Sequence, residues 1–293
     1  MVDAIELIFS TNDALFHGKS CTLGIDEAGR GPVLGPMVYA VGICETRELE
    51  RLALLGVKDS KLLTEDARSS IFEKLCTDHA NFFAYGLKIL PAAFISKSML
   101  RRVKYNLNEI SHDAAMELIE AVVKRGIAVD KVYVDTVGPN ETYARKLSNR
   151  FPQLDIVVSK KADSLYPIVS AASICAKVTR DRQLRNSFKD ITDAGICIGS
   201  GYPSDPATVE YLQASVDPVF GFNPLVRFSW STVKQLLQKK AVPVTWEDDE
   251  EEAKTIVDIR TFFAGRNDSK NRKRKYIFFE ERNIHGSSFL LSL

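Results

Sequence analysis

Short apolar segments alternate with helical segments along most of this chain, and that alternation constrains the fold more than any other feature. The predicted strands are "CTLGID", "MVYAVGIC", "FFAYGLKIL", "KVYVD" and "LDIVVS", which end at residues 26, 44, 90, 135 and 159. The predicted helices lie near 47–55, 64–78, 106–125, 141–150 and 163–188. Strands that alternate with helices in this way predict an α/β domain with a mixed central β-sheet flanked by helices.

Acidic residues stand where two of these strands end. Asp26 closes the first strand and is followed by Glu27 in "GIDEAGRGPVLG" (24–35), and Asp135 closes the fourth. Asp163 opens the last long helix. Because ligands of α/β sheets gather at strand ends, we expect Asp26 and Asp135 to share a site. Successive side chains alternate faces, so Glu27 is expected to join them only if the strand breaks after Asp26.

Carboxylates without a nearby histidine or cysteine favour hard cations such as Mg²⁺ or Mn²⁺. Two such ions about 4 Å apart can activate a water and stabilise the leaving oxygen of a phosphodiester. The residues alone leave other interpretations open. Asp163 could be a helix N-cap, Asp135 a turn residue and Asp26 an ordinary acid at a strand end. The glycines around Arg30 could mark only a turn.

Composition narrows the class of protein. The 293 residues carry a net charge of +1, so a nucleic-acid partner would have to contact a local patch rather than a globally basic surface. The five cysteines are widely spaced without a CxxC pair, which argues against a zinc site or disulfide framework and favours a reducing compartment. No run of about 18 apolar residues occurs, so we expect a soluble intracellular protein that does not enter a membrane.

The character of the chain changes near residue 195. We predict an N-terminal extension over 1–19, a catalytic domain over 20–194, and a small helical C-terminal annex over 195–245 with helices at "PATVEYLQ" and 226–240. Residues 246–293 combine an acidic run, an apolar segment and the basic "KNRKRK" (270–275), and are expected to be partly disordered or ordered by a partner.

Seven stretches together closely resemble the ribonuclease HII family (type 2 ribonuclease H), and most closely the catalytic subunit of the eukaryotic heterotrimeric enzyme. The resemblance covers roughly residues 20–240, and the stretches are, in order, "GIDEAGRGPVLGPMVYA", "DSKLL", "SMLRRVKYNLNEISHDAA", "VYVDTVGPNETY", "KADSLYPIVSAASICAKVTRD", "GSGYPSDP" and "PVFGFNPLVRFSW". The resemblance implies an RNase H-like fold. It also implies a site of four acids, here Asp26, Glu27, Asp135 and Asp163, which hold two Mg²⁺ ions, with Mn²⁺ as a substitute.

The resemblance further implies the substrates, products and partners. The expected substrates are the RNA strand of RNA–DNA hybrids and single ribonucleotides embedded in duplex DNA, cut to 5′-phosphate and 3′-hydroxyl ends. The expected partners are accessory subunits B and C of a heterotrimer, and the expected place is the nucleus, in ribonucleotide removal and replication. "IRTFF" (259–263) has the spacing of a sliding-clamp ligand but lacks the upstream glutamine, and "KNRKRK" could be a nuclear-localisation run, a phosphate-binding patch or a solvated run.

The same resemblance indicates residues that contact the substrate. Gly29, Arg30 and Gly31 would let the backbone approach a ribose 2′-OH, with Arg30 near the flanking phosphate. Tyr202 matches the family tyrosine that packs on the same sugar, although it could be a core tyrosine. Further candidates for positioning the nucleic-acid backbone, each of which could instead be a surface residue, are Lys61, Asn106, Lys177 and Arg180.

Overall fold

The computed structural model describes residues 5–10, 13–57, 63–103 and 105–244. Contacts divide the chain into two units, Met1–Val242 and Pro243–Leu293, and the sheet belongs to the first. Lys61, "IRTFF" and "KNRKRK" lie outside the described residues. In the part of the chain that the structure describes, no helix is long and apolar enough to cross a membrane.

Six strands and ten helices make up the described chain, with short 3₁₀ turns at Asp13–Phe16 and Thr46–Glu48. The strands are β1 (Glu6–Phe9), β2 (Ser20–Ala28), β3 (Met37–Glu45), β4 (Phe83–Leu90), β5 (Ala128–Asp135) and β6 (Asp155–Ser159). The helices are α1 (Leu49–Leu54), α2 (Glu65–Cys76), α3 (Ala92–Met99), α4 (Leu107–Lys124), α5 (Asn140–Arg150), α6 (Ala162–Leu165), α7 (Pro167–Ser187), α8 (Lys189–Asp193), α9 (Pro206–Ser215) and α10 (Ser231–Lys240).

The strands form one mixed sheet, as the sequence predicts, and their order is β1-β4-β3-β2-β5-β6. The pairs β1/β4, β4/β3 and β3/β2 are antiparallel, whereas β2/β5 and β5/β6 are parallel. Parallel neighbours end at the same edge of a sheet. The carboxyl ends of β2 and β5 therefore meet, and both predicted acids of these strands stand there.

Helices cover both faces of the sheet. One face packs Ile25 and Tyr39 against Ile110 and Leu118 of α4, in a core that α5 extends. The other face packs against α1, α2 and α7, with side chains that include Val38, Ala40, Phe72 and Ile174. Alternate residues of β2 and β3 thus enter different cores, as the period of a strand requires. Neighbouring acids on β2 therefore start on opposite faces.

A pair of glycines sets how closely α7 approaches the sheet. Gly24 and Gly42 are partners across β2 and β3, and both lie beneath the start of α7. A β-carbon on Gly24 would come within 2.4 Å of the backbone carbon of Ile168, and one on Gly42 within 3.1 Å of the Ile168 carbonyl oxygen. At Gly24 only a residue without a side chain leaves room for this contact, whereas at Gly42 the helix would have to give by a few tenths of an ångström. The glycine pair therefore fixes the distance from α7 to the acids of β2.

Several element boundaries differ from the sequence predictions. The helix expected over 163–188 is two helices, because Tyr166 is extended and Pro167, which has no N–H to donate, starts α7. The helix expected over 226–240 begins only at Ser231. Strand β1 and helix α3 were not predicted; β1 is only four residues long and its side chains are largely exposed, so it lacks a clear apolar period.

The helices after residue 195 share a small core with the main domain. Phe188, Tyr211, Leu212 and Val233 pack there with Leu34, which follows the glycine-rich loop after β2. The annex boundaries predicted at 195 and 245 stay a prediction, since contacts place residues 195–242 in the same unit as the sheet. The packing brings α9 and α10 to the loop that follows Asp26 and Glu27.

Candidate active site at the ends of two parallel strands

Asp26 and Asp135 lie side by side at the carboxyl edge of the sheet. Ile25 of β2 is the register partner of Val134 of β5, so the next residue on each strand is an aspartate. Adjacent strands are about 4.8 Å apart, and matched positions of a parallel pair share a face. The expectation that these two acids meet is confirmed by this register. Both belong to the face that α7 covers.

Strand β2 does not break after Asp26, so the condition under which the sequence predicts that Glu27 joins Asp26 is not met. Strand β2 continues to Ala28, and Glu27 pairs with Tyr39 in its ladder. Its side chain therefore starts on the α4 face. The charges of Asp26 and Asp135 nevertheless act on its carboxyl group, because all three acids stand at the carboxyl ends of the strands. A glutamate has one more methylene than an aspartate, which lets it reach around a strand end.

Asp163 comes to the edge through a short helix rather than as a helix cap. It lies inside α6, whose N-cap is Lys161 in the left-handed conformation with φ of 56°, so the N-cap interpretation is wrong. The Ala162 N–H donates to Asp135 Oδ1 at 2.9 Å, which ties α6 to the end of β5. Asp163 is buried, and its charge acts on Asp26.

Burial raises the pKa of both β2 acids. For Asp26, burial is opposed by a hydrogen bond from Ser173 of α7 and reinforced by the charge of Asp135. For Glu27, burial and the charge of Asp26 raise the pKa, and Arg30 opposes them. Carboxylates held together in a poorly solvated place disfavour their charged forms. The site is therefore one where positive charge would be stabilising.

The four acids are the residues of this site that could hold a metal. Within the described residues, no three Asp, Glu, His or Cys side chains stand close enough to hold an ion as they are placed. The donor set is made of carboxylates only, which suits Mg²⁺ or Mn²⁺ better than zinc. Glu27 Oε2 is buried and makes no well-formed hydrogen bond in the described part of the chain, and the Tyr39 hydroxyl opposes the rise in the pKa of Glu27.

The loop after β2 is held by two residues that lie about 200 positions later in the chain. Arg227 is fully buried, and it donates to the carbonyls of Gly29 at 2.5 Å, Arg30 at 3.0 Å and Gly35 at 3.0 Å. Trp230 Nε1 donates to the Gly31 carbonyl at 3.0 Å. The carbonyls of Gly29, Arg30 and Gly31 are thus all occupied. Their N–H groups make no backbone hydrogen bond with the residues that the structure describes.

Tyr202 lies directly against this loop. Its ring would be 3.3 Å from a β-carbon on Gly31, and the side chain is 46% exposed, so it is not a core tyrosine. The Gly201 carbonyl accepts from the N–H groups of Val33 and Leu34, which joins the two loops. Asp205 and Thr208 fix the second loop, because they accept from the N–H groups of Ser200 and Gly201.

The arginines predicted to contact substrate have protein partners. Arg30 donates to the Leu107 carbonyl, Ser111 and Asn108 of α4, so its guanidinium is turned toward that helix. Arg180 is buried and its side chain packs beside Gly29 and Gly201. A groove of about 410 Å³ opens beside the loop, and it is lined by Arg30, Gly31, Met99, Leu107, Ser229 and Trp230.

The remaining candidates are more scattered. Asn106 is the N-cap of α4 in a capping box with Glu109, so its side-chain oxygen is already used. Lys177 lies one turn after Ser173 on α7, on the side of the helix that faces the acids. Their contacts with substrate, and that of Lys61, stay predictions.

Sequence reasoning missed three residues of this region. Arg227 and Trp230 stand in "PVFGFNPLVRFSW", which contributes to the resemblance, but an arginine in a loop is normally exposed and its spacing to Gly29 carries no signal. Ser173 stands among small residues of α7. Only the close approach of α7 at Gly24 reveals that this serine faces Asp26.

Comparison with known proteins agrees with this geometry. Residues 23–233 match the family model for ribonuclease HII. The chain is 49% identical over 276 residues to the A subunit of the ribonuclease H2 of Caenorhabditis elegans, covering 92% of each protein. It is similar in structure to the ribonuclease H2 of Pyrococcus horikoshii, with a TM-score of 0.64, 33% identity, and coverage of 75% of this chain and 98% of the other.

A second structure is that of the RNase HII of Archaeoglobus fulgidus, solved in complex with PCNA. Its TM-score is 0.62 at 32% identity, covering 78% of this chain and 99% of the other. The predicted RNase H-like α/β fold is therefore confirmed, and so is the prediction that the protein is a nuclease with ribonuclease H activity. The chain belongs to the ribonuclease HII family.

Proposed function

We propose that this chain is the catalytic subunit of an enzyme that cuts the RNA strand of RNA–DNA hybrids and incises duplex DNA at single ribonucleotides. Cleavage would leave 5′-phosphate and 3′-hydroxyl ends. The observation that carries the proposal is the position of the Gly29–Gly31 loop. It directly follows Asp26 and Glu27 on β2, so a group that binds the sugar lies within a few residues of the acids.

The acids Asp26, Glu27, Asp135 and Asp163 are proposed to hold two Mg²⁺ ions, with Mn²⁺ as a substitute. A donor set made of carboxylates alone and the raised pKa values of Asp26 and Glu27 support a cation here. When bound, such ions supply Lewis-acid activation of water and stabilisation of a leaving oxygen. The chain's own contribution is to fix the carboxylates, through Ser173 on Asp26 and the Ala162 N–H on Asp135.

Discrimination of the ribose is assigned to Gly29, Arg30, Gly31 and Tyr202. Because Arg227 and Trp230 occupy the carbonyls of the loop, its N–H groups are the backbone atoms left to meet a ligand. The 2′-OH both donates and accepts, and it is the group that separates RNA from DNA. Tyr202, half-exposed against Gly31, can pack on the sugar ring from the other side.

Cleavage of a defined duplex tests this function. The full-length chain, without and with accessory subunits, is incubated with duplex DNA containing one ribonucleotide, and with the same duplex without it, in Mg²⁺ or in EDTA. We expect Mg²⁺-dependent cleavage at the ribonucleotide only. Cleavage of both duplexes would indicate a DNA resolvase or integrase, and binding without cleavage would indicate a non-catalytic hybrid-binding subunit.

Asp135→Asn separates catalysis from folding. The amide keeps an oxygen that can accept from the Ala162 N–H, so α6 should stay in place. Loss of one charged ligand should raise the barrier to cleavage by several kcal/mol, which slows the reaction roughly 10³-fold. Binding of the hybrid should persist. Asp155→Asn is the matched control, because Asp155 is exposed on β6 and pairs with Lys131. If Asp135→Asn cut at the wild-type rate, the metal assignment would be wrong.

The proposed partners are accessory subunits B and C and a sliding clamp, and the proposed location is the nucleus. The Caenorhabditis elegans relative is named as one subunit of its enzyme, which supports a multi-subunit assembly, and the Archaeoglobus fulgidus protein was solved with PCNA. The segments of this chain that would serve clamp binding and nuclear import, 255–263 and 270–275, lie outside the described residues. Deletion of 246–293 followed by co-purification with B and C, and by localisation in cells, tests both assignments.

A further inference from the structure

Three buried polar atoms on the α4 side of the acids make no well-formed hydrogen bond among the described residues, although the Tyr39 hydroxyl interacts with Glu27 and with Ser111. They are Glu27 Oε2 and the hydroxyl oxygens of Tyr39 and Tyr143. Both tyrosines are among the most deeply buried large side chains, at 1% and 0% exposure. Buried polar groups are rarely left unsatisfied, because an unmade hydrogen bond costs more than a made one contributes. Three such groups in one region therefore call for a shared explanation.

The register of the sheet places two of these groups together. Glu27 of β2 and Tyr39 of β3 are direct partners in an antiparallel pair, so their side chains leave the same face with β-carbons about 5 Å apart. This face is the one that packs against α4, where Tyr39 lies in the core beside Ile25. Asp26 leaves the opposite face. To meet Asp26 at the carboxyl ends of the strands, the side chain of Glu27 would therefore have to be held there by residues on the α4 side.

Tyr143 approaches from α5 on the same side. Its ring stacks on His112 of α4, with centroids 4.0 Å apart and planes 12° from parallel. His112 Nε2 in turn contacts the Val137 carbonyl at 3.1 Å, in the segment that follows Asp135. The stack restrains the ring of Tyr143. Its hydroxyl is thus fixed relative to the ends of β2 and β5.

The charge of Glu27 acts on both hydroxyls. Burial and then the neighbouring Glu27 carboxylate raise the pKa of Tyr39 and of Tyr143 above the ordinary value. A phenol is protonated at neutral pH whether or not its pKa is shifted, and is therefore a hydrogen-bond donor. Arg30, which donates to Ser111 of α4, supplies positive charge to the same region and opposes the rise in the pKa of Glu27.

We propose that Tyr39 and Tyr143 are positioning residues that donate hydrogen bonds to the Glu27 carboxylate and hold it at the edge where Asp26 and Asp135 end. The role rests on the proposed function, because it matters for catalysis only if Glu27 binds a metal. Neither tyrosine touches the substrate. They compensate for the unbroken strand, which directs Glu27 away from Asp26, by fixing the far end of its side chain.

The test uses the full-length chain with Tyr39→Phe, Tyr143→Phe and the double substitution. Tyr85→Phe is the matched control, because Tyr85 stands on the adjacent strand β4 and packs in the core of the other face. Phenylalanine keeps each ring in place and removes only the hydroxyl. The first readout is Mn²⁺ affinity without substrate, by electron paramagnetic resonance of the free ion. Loss of a group that orients a ligand typically weakens metal binding ~10-fold or more, and we expect that of the double variant.

The second readout is a thermal double-mutant cycle in EDTA. If the hydroxyls donate to Glu27, each Tyr→Phe change lowers the unfolding midpoint by roughly 2–4 °C, and the loss largely disappears in a Glu27→Ala background. Equal midpoint shifts in both backgrounds, or Mn²⁺ affinity as in Tyr85→Phe, would overturn the positioning role. A wild-type chain that neither binds Mn²⁺ nor cleaves would instead overturn the proposed function, and the thermal cycle then decides alone whether the hydroxyls hold Glu27.

Discussion

The ring of Tyr202 and the backbone of Gly31 are in contact, so that a β-carbon on Gly31 would lie 3.3 Å from ring atom Cε1. The two residues belong to loops that are distant in sequence but joined by hydrogen bonds from Val33 and Leu34 to the Gly201 carbonyl. A ribose bound at the loop would therefore meet a backbone and an aromatic ring whose spacing is already set. Side chains added at Gly31 should disturb that spacing before they disturb the fold.

Gly31→Ala is expected to impair cleavage at a ribonucleotide with little change in stability. Tyr202 is half-exposed, so its ring can shift by a few tenths of an ångström without strain in the core. Small misplacements of positioning groups still affect rate, and we expect roughly a tenfold fall in kcat/KM. Single-turnover cleavage and thermal unfolding measure the two effects. In a Tyr202→Ala background the same substitution should have little further effect, and a full tenfold loss there would contradict the contact.

Arg227→Gln should lower both stability and activity. The guanidinium donates to three backbone carbonyls while fully buried, and burial with the charge of Arg180 lowers its pKa only to about 9, so it stays charged at neutral pH. Glutamine cannot reach all three carbonyls. Because desolvation of the charge offsets part of the gain, we expect a loss of about 2–4 kcal/mol, or roughly 5–15 °C in the unfolding midpoint.

Arg150→Gln is the control for this change, because Arg150 is largely exposed and pairs with Glu120 on the surface. Surface ion pairs contribute little, so its midpoint should move by only ~1–2 °C. If the two variants unfolded at the same temperature, Arg227 would not be what holds the loop.

The positions of the acids at the strand ends were predictable from the sequence, whereas the residues that hold the neighbouring loop in place were not. Apolar runs that end in Asp26 and Asp135 predict strands, and strand ends of a parallel pair meet by topology alone. The buried Arg227 was not predictable, because it is 198 residues from its partner Gly29 and loop arginines are usually solvated. The sequence made the approach of Glu27 to Asp26 depend on a break in β2, and because the strand continues to Ala28 the two side chains start on opposite faces.

His112 should make the fold sensitive to mild acid. Burial lowers its pKa, the charges of Lys146 and Arg30 act in the same direction, and Asp113 and the Val137 carbonyl oppose them. The unfolded chain, with a histidine pKa of about 6.5, then binds more protons than the folded one just below that value. Stability is therefore lost as pH falls through about 6.5 and the loss levels off below the folded pKa.

Unfolding midpoints of the wild type and of His112→Gln between pH 8 and pH 5 test this dependence. Glutamine can still donate to the Val137 carbonyl but does not titrate, so its midpoint should fall less on acidification than that of the wild type. His17→Gln, an exposed position, is the control and should follow the wild type. Parallel curves for His112→Gln and wild type would rule out His112 as the source.

Gly24→Ala should be among the most damaging small substitutions in the sheet. The added β-carbon would lie 2.4–2.6 Å from the Ile168 carbonyl group and the Val169 nitrogen, and these backbone atoms cannot rotate away as a side chain can. Helix α7 must then move off β2, which separates Ser173 from Asp26. We expect a loss of about 3 kcal/mol or more in unfolding free energy, with a further fall in cleavage rate among the molecules that stay folded.

Gly126→Ala is a stringent control for Gly24→Ala, because Gly126 has a φ of 75° but open space around it, so alanine costs only the ~1–2 kcal/mol of a left-handed backbone. Denaturant unfolding of both variants decides the question, and a smaller loss for Gly24→Ala than for Gly126→Ala would mean that α7 does not depend on this contact.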